Sequence, residues 1–144
     1  MSDVPGPVSK AFERRVRCLL VDDEPALLRA LRRVIFQRRP DWEIHLANNA
    51  ADAIELLEGR RFDCVMSDLC MPHMDGLLFL ELVSERHPEC ARVVHSSHIE
   101  TMGRDKVSAV CHRMLAKPAA AEAVIDTLEW GVNFARHLKP SGTG

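Results

Sequence analysis

The chain carries no basic excess: 19 Lys and Arg stand against 21 Asp and Glu, for a formal charge of -2. No Lys/Arg cluster is interleaved with aromatics either, so direct binding to nucleic acid through its phosphates is not expected. Long apolar runs are also missing; none approaches the roughly 18 residues that a membrane helix needs. The opening MSDVPGPVSK has neither the apolar segment nor the cleavage site of a signal peptide. A cytoplasmic protein that keeps away from membranes is therefore expected. C-x-x-C spacing is absent as well, which argues against a zinc site, and the five cysteines read as free thiols filling a core in a reducing compartment.

What is present fits one globular domain. A chain of 144 residues, 47% hydrophobic and 28% charged, is long enough to bury most of its apolar side chains. Apolar runs of strand length alternate with helical stripes. VRCLLV (16–21) reads as a strand, and the segment after it opens on Pro25, tolerated at a helix start, with Leu27, Leu28, Leu31, Val34 and Ile35 on one stripe. WEIHLA (42–47) alternates like a strand. NNAADAIELLEG then offers an Asn cap, a stripe of Ala50, Ala53, Ile54 and Leu57, and a stop at Gly59. Strands are also expected at 63–67, 91–96 and 112–116, with helices starting at GLLFLELVSERH and spanning 99–111 and 119–138. Five strand–helix units predict an α/β fold, a five-stranded parallel sheet with helices on both faces, because parallel neighbours need crossover connections. Residues 1–15 and 139–144 read as tails or linker, which leaves 16–138 as the domain.

In an open parallel sheet, functional groups gather beyond the carboxyl ends of the strands. There the first strand ends in Asp22, Asp23 and Glu24, the third in Asp68, the fourth in Ser96 and Ser97, and the fifth in Lys117 and Pro118. Each alone could be a solvated loop residue; together they bring acids, hydroxyls and an amine to one cleft. Two carboxylates about 4 Å apart repel by about 4 kcal/mol at an effective dielectric of about 20, so one protonates or a cation sits between them. Oxygen ligands favour a hard cation such as Mg²⁺ (or Mn²⁺), which keeps open positions for phosphate oxygens. With that charge and the Lys117 ammonium in place, a carboxylate can act as nucleophile and become an aspartyl phosphate. Asp68, delivered by an apolar strand, is the expected nucleophile.

LLVDDEP, SDLCMPHMDG, VVHSSH and LAKP, in this order, resemble the receiver domain of bacterial two-component response regulators over about residues 16–138. The resemblance implies a flavodoxin-like (βα)5 fold with strand order 2-1-3-4-5. It implies that Asp22 and Asp23 hold Mg²⁺ together with Asp68 and the backbone carbonyl of Cys70. It makes Asp68 the phosphoacceptor, Ser96 the switch hydroxyl, Lys117 the cationic partner, and Leu69 and Ser97 neighbours of the phosphoryl group. The donor would be a histidine kinase, a phosphotransfer protein or a small acyl phosphate. The domain would catalyse its own phosphorylation and dephosphorylation without acting on outside substrates. Output would pass through the 96–117 region to an effector domain or protein. The VVHSSH to CHRMLAKP stretch loosely resembles receivers fused to metal-dependent phosphohydrolase-type output domains. A free-standing receiver and a fragment of a larger regulator both remain open.

Several positions depart from the family pattern. Ser97 stands where Ala or Gly is usual, and Met114 stands where an aromatic ring usually swings with the switch hydroxyl. Either that coupling is lost or the flexible Met fills the same space. His98 is expected to contact the phosphoryl oxygens or the attacking water, giving a pH-dependent lifetime between roughly pH 6 and 7.5; otherwise it is a solvent-facing loop residue. Cys70, beside the same group, is a candidate for tuning that lifetime or for sensing oxidants. The helix over 99–111, with Gly103 and a sparse stripe of Val107 and Val110, should be cheap to reposition. In the last helix an inner stripe of Val124, Ile125, Leu128, Val132 and Ala135 leaves Trp130 and Phe134 outward. They are expected to form a homodimer or partner interface, unless the helix end overhangs the sheet. Arg29, Arg32, Arg33, Arg38 and Arg39 read as a solvated face of the first helix, which in the family helps to dock the kinase. Two other functions stay in view. One is a binding module that works without phosphorylation; the other is a phosphatase acting on outside substrates, which commonly has an acid where Cys70 stands.

Overall fold

The computed structural model describes the backbone of residues 15–143 and the side chains of residues 15–137. Five parallel strands form the sheet: β1 (Arg17–Val21), β2 (Glu43–Ala47), β3 (Cys64–Ser67), β6 (Ala91–Ser96) and β7 (Arg113–Ala116), in the order β2-β1-β3-β6-β7. Counted without the small hairpin described below, this is the expected 2-1-3-4-5. The three central strands are almost wholly buried, as strands covered on both faces must be.

The pleat sorts neighbouring residues into two cores. Leu19, Val21 and Val65 point to a face covered by α2 (Ala50–Gly59), α3 (Gly76–Arg86), α4 (Ile99–Met102) and α5 (Arg104–Ser108). Cys18, Leu20, Cys64 and Met66 point to the other face, covered by α1 (Pro25–Arg38) and α6 (Ala121–Thr143). The stripes read from the sequence supply these contacts: Leu28, Leu31 and Ile35 from α1, Ala50, Ala53 and Leu57 from α2, and Val124, Ile125, Leu128, Val132 and Ala135 from α6. Gly131 lets α6 sit close on the sheet, because a Cβ there would stand 2.6 Å from the Cys64 sulfur.

Local chemistry sets the helix starts. Asn49 caps α2 by accepting from the Asp52 amide at 2.8 Å, and Asp75 caps α3 by accepting from the Leu77 amide at 2.7 Å. Both caps aim their helices away from the carboxyl edge of the sheet, where the acids gather.

Three expectations need correction, and one element is new. The 99–111 helix is two short helices, α4 and α5, broken at Gly103, whose φ of 102° breaks the helical backbone and suits glycine. Cys70–Met71 (β4) and Met74–Asp75 (β5) form an antiparallel hairpin that a two-residue pairing leaves invisible to any periodicity. The last helix begins at Ala121 and runs to Thr143, so residues 139–143 continue it. Trp130 and Phe134 are only half-exposed: they stack at 5.0 Å, with the Arg113 guanidinium 4.0 Å over Trp130 and the His112 ring 4.6 Å from Phe134. They pack against the α1–α6 core and cover the edge beside β7, because β7 ends the sheet and leaves room for large side chains from α6. Residues 1–14 of the expected N-terminal tail lie outside the described residues.

Candidate functional site

Beyond the carboxyl ends of β1 and β3 the backbone stays in register: the Asp22 amide donates to Ala47 O at 3.2 Å and the Asp68 amide to Val21 O at 2.9 Å. Both aspartates are buried, at 4% and 6% exposure, while Asp23 is exposed. The carboxylates of Asp22, Asp23 and Asp68 each offer an oxygen within 4.8 Å of the others. Lys117, following β7, bridges the buried pair, with Nζ 2.7 Å from Asp22 Oδ2, 3.3 Å from Asp68 Oδ2 and 4.0 Å from Glu24 Oε1.

Two buried acids for one partly buried base leave the site short of positive charge. Burial pushes the Asp22 carboxyl above its usual range, with Lys117 and the Glu24 amide opposing and Asp68 adding to the rise. Burial alone would push Lys117 down, but the bonds and charges of Asp22 and Asp68 outweigh it and hold the ammonium above its ordinary value. The donor set is carboxylate oxygen throughout, so the residues fit a hard divalent cation.

The two carboxylate oxygens of Asp68 meet different partners. Its Oδ1 accepts from the Leu69 amide at 2.6 Å and lies 3.4 Å from the Cys70 amide, while Oδ2 faces Lys117. Leu69 itself is fully buried. Gly76 carries a further constraint, unread in the sequence beyond its place in the MDG motif. A Cβ at that position would lie 2.6 Å from both Asp68 O and Leu69 Cα, so only glycine lets the start of α3 close over the Asp68–Leu69 backbone. The cis bond between Lys117 and Pro118 follows the bridging lysine directly.

The remaining predicted residues sort by position. Ser96 is fully buried, and its Oγ accepts from the His98 amide at 3.0 Å rather than reaching Asp68. The Ser97 hydroxyl is exposed and lies 3.3 Å from His98 Nδ1. Met114 is partly buried against the α2–α5 core, with Arg104 3.9 Å from its sulfur. Burial raises the Cys70 thiol, and Asp68, Asp23 and Asp75 push it further, a setting that opposes thiolate chemistry. Arg38 at the end of α1 and Arg39 just after it face Asp126 and Glu129 of α6 at 3.9 and 2.6 Å.

A doubly wound sheet with an acidic cluster and a lysine at its carboxyl edge defines a flavodoxin-like α/β protein with a cation-seeking site. Residues 18–129 match the response regulator receiver domain model, and the chain belongs to that family. Receiver domains generally bind Mg²⁺ at an acidic pocket, and the Asp22–Asp23–Asp68 cluster is its counterpart here. The chain is 33% identical over 129 residues to the hydrogenase transcriptional regulatory protein HoxA of Bradyrhizobium diazoefficiens, covering 87% of this chain and 26% of that protein. It thus spans about a quarter of that relative's length. In fold it is similar to the signal receiver domain of an HD domain-containing protein from Pseudomonas fluorescens Pf-5, with TM-score 0.80, 24% identity and coverage of 88% of this chain and 93% of that one. A CheY-like receiver domain protein from Methanospirillum hungatei JF-1 superposes with TM-score 0.78 at 18% identity, over 85% and 98% of the two chains.

Proposed function

We propose that the domain is a phosphorylation-dependent switch of two-component signalling, in which Asp68 accepts a phosphoryl group from a histidine kinase or a phosphotransfer protein. The observation that carries this reading is the single lysine shared between Asp22 and Asp68 beside a third carboxylate. A bound Mg²⁺, held by Asp22, Asp23, Asp68 and the Cys70 carbonyl, would supply charge neutralisation for the transferred oxygens. Asp68 Oδ2 forms the new bond to phosphorus as the phosphorus–nitrogen bond of the donor phosphohistidine breaks, and the imidazole leaves with that electron pair. Lys117 keeps its ammonium on the side of the incoming oxygens, and the amides of Leu69 and Cys70 hold the carboxylate in place. The domain acts on itself alone in this scheme and works in the cytoplasm.

The added charge of close to two units draws in whatever donors can turn. Ser96 gives up the His98 amide and rotates toward the phosphoryl group, and Ser97 follows with its amide. Because His98 precedes α4, and α4 meets α5 at Gly103, the pull reaches a helix pair already broken at its middle. Met114 packs beside that pair. This is the path proposed from Asp68 to an effector domain or protein. A homodimer through α6 would use the edge of the Trp130–Phe134 stack left exposed; Trp130→Asp with unchanged self-association removes that element.

Incubation with acetyl phosphate and Mg²⁺, followed by intact mass, tests the reading. A gain of about 80 Da is expected for the wild type, absent in Asp68→Asn and with EDTA, as an aspartyl phosphate requires. No gain in the wild type overturns it.

A further inference from the structure

Lys117 has a second side. Away from Asp22 and Asp68 it lines a cavity of about 370 Å³ between the start of α1, the end of β6 and the loop into α6. The lining surface is mostly apolar, from Leu27, Pro118 and Ala119 and the stems of their neighbours, with Glu24, His95, Ser97 and Lys117 as its polar members. His95 is only 5% exposed, and its Nε2 is the one buried side-chain nitrogen or oxygen among the described residues that meets no hydrogen-bond partner. Burial first, and then the charge of Lys117, push this imidazole below its ordinary value, so it is neutral and keeps a lone pair. The phosphoryl-transfer scheme leaves the ring without a task.

Charge and shape narrow the ligand. The charged groups around the cavity are Glu24, Lys117 and, behind the lysine, Asp22 and Asp68, three carboxylates against one ammonium. Lys117 is matched by its two aspartates at closer range, which leaves the Glu24 carboxylate, 4.0 Å from Lys117 Nζ and 66% exposed at its side chain, largely open to a further cation. A cation with several donors in a plane can bond Glu24, the Ser97 hydroxyl and an imidazole nitrogen together, whereas an ammonium is a point charge. The apolar walls suit an aliphatic stem. Nε2 is buried as the ring stands, so binding through it requires the ring to turn about its broad second torsion.

We propose that the cavity bounded by Glu24, Leu27, His95, Ser97 and Ala119 binds a guanidinium carried on a short aliphatic stem. Titration of the full chain with agmatine, followed by amide and imidazole nitrogen shifts, tests this without any phosphoryl group, so its outcome is independent of whether Asp68 is phosphorylated. Saturable shifts are expected at His95, Leu27 and Ala119. Glu24→Gln should weaken binding about tenfold, the loss of one charge-assisted bond. His95→Leu should weaken it as well, with His95→Gln restoring part of it through a retained acceptor. n-Butylamine, with a similar stem but no fork, should bind at least about fivefold more weakly. Tighter binding of N-acetyl-arginine N-methylamide than of agmatine assigns the site to an arginine of a partner protein, and the reverse order to a free small molecule. Absence of saturable shifts, equal response to n-butylamine, or unchanged binding in Glu24→Gln overturns the proposal. The last two arms decide even if His95→Leu does not fold.

Discussion

The two ends of β3 each carry a buried aspartate, and the two have opposite surroundings. At the amino end, Asp63 accepts from Arg136 on both oxygens, at 3.1 and 3.2 Å, and from the Arg17 amide at 3.0 Å. Nearby, Arg92 donates to the carbonyls of Cys90 and Val110, and its amide to His112 Nδ1 at 3.0 Å. The Asp63 charge there is matched by Arg136, and the Arg92 donors are used. At the carboxyl end, Asp68 and Asp22 share one lysine with a third acid beside them. The same strand therefore ends in a clamp on one side and in an unsatisfied electrostatic demand on the other. A protein can keep the second only because the first, and the two cores, hold the sheet together.

That contrast makes a strong prediction about stability. Asp63→Ala should destabilise the fold by about 3 kcal/mol, because it strands the Arg136 guanidinium and the Arg17 amide. Asp68→Asn should change stability by less than about 1 kcal/mol or raise it, since it relieves repulsion with Asp22. Urea unfolding of both variants measures the difference. Equal losses would break the comparison.

Gly76→Ala joins the two properties. A methyl group 2.6 Å from the Asp68–Leu69 backbone should cost about 1–3 kcal/mol and slow phosphorylation by acetyl phosphate more than it slows folding. Normal phosphorylation in a destabilised variant would show that the close approach serves packing alone.

At the amino end the prediction concerns pH. Burial, and secondarily Arg92, lowers His112 from 6.5 to about 4. The folded state therefore binds this proton more weakly than the unfolded state. The contribution is fully present above about pH 6.5 and is lost as pH falls through the window toward 4. His112→Gln should flatten stability against pH in that window. An unchanged slope would mean that another group carries it.

The smallest effect is expected at His98. Its ring meets Ser97 and its amide holds Ser96, so His98→Ala should alter the decay of phosphorylated Asp68 by about threefold. A decay rate unchanged in the variant would remove the histidine from the reaction.

Much of this was readable in the sequence because strand and helix write themselves in periodic apolar positions, and because the acids fall just after apolar runs. Asp22, Asp68 and Lys117 were found by that logic, and they do meet. Gly103 marked the weak helix, although not that it would split in two. His95 was passed over as one residue of an apolar strand, since nothing in VVHSSH tells which face of the sheet a side chain takes or what stands opposite. Helical angle alone puts Trp130 and Phe134 outward, and it cannot show that β7 is the edge strand and leaves them room to fold over it.

The sequence by itself determined the five strand–helix units, their parallel pairing and the residues that reach the carboxyl edge, because period and run length are local properties of the chain. Only the tertiary structure decided that Lys117 lies between Asp22 and Asp68, that Gly76 closes on the acceptor backbone, and that the His95 ring stays without a partner. Those facts depend on distances between segments far apart in the chain, and such distances are settled when the two cores pack.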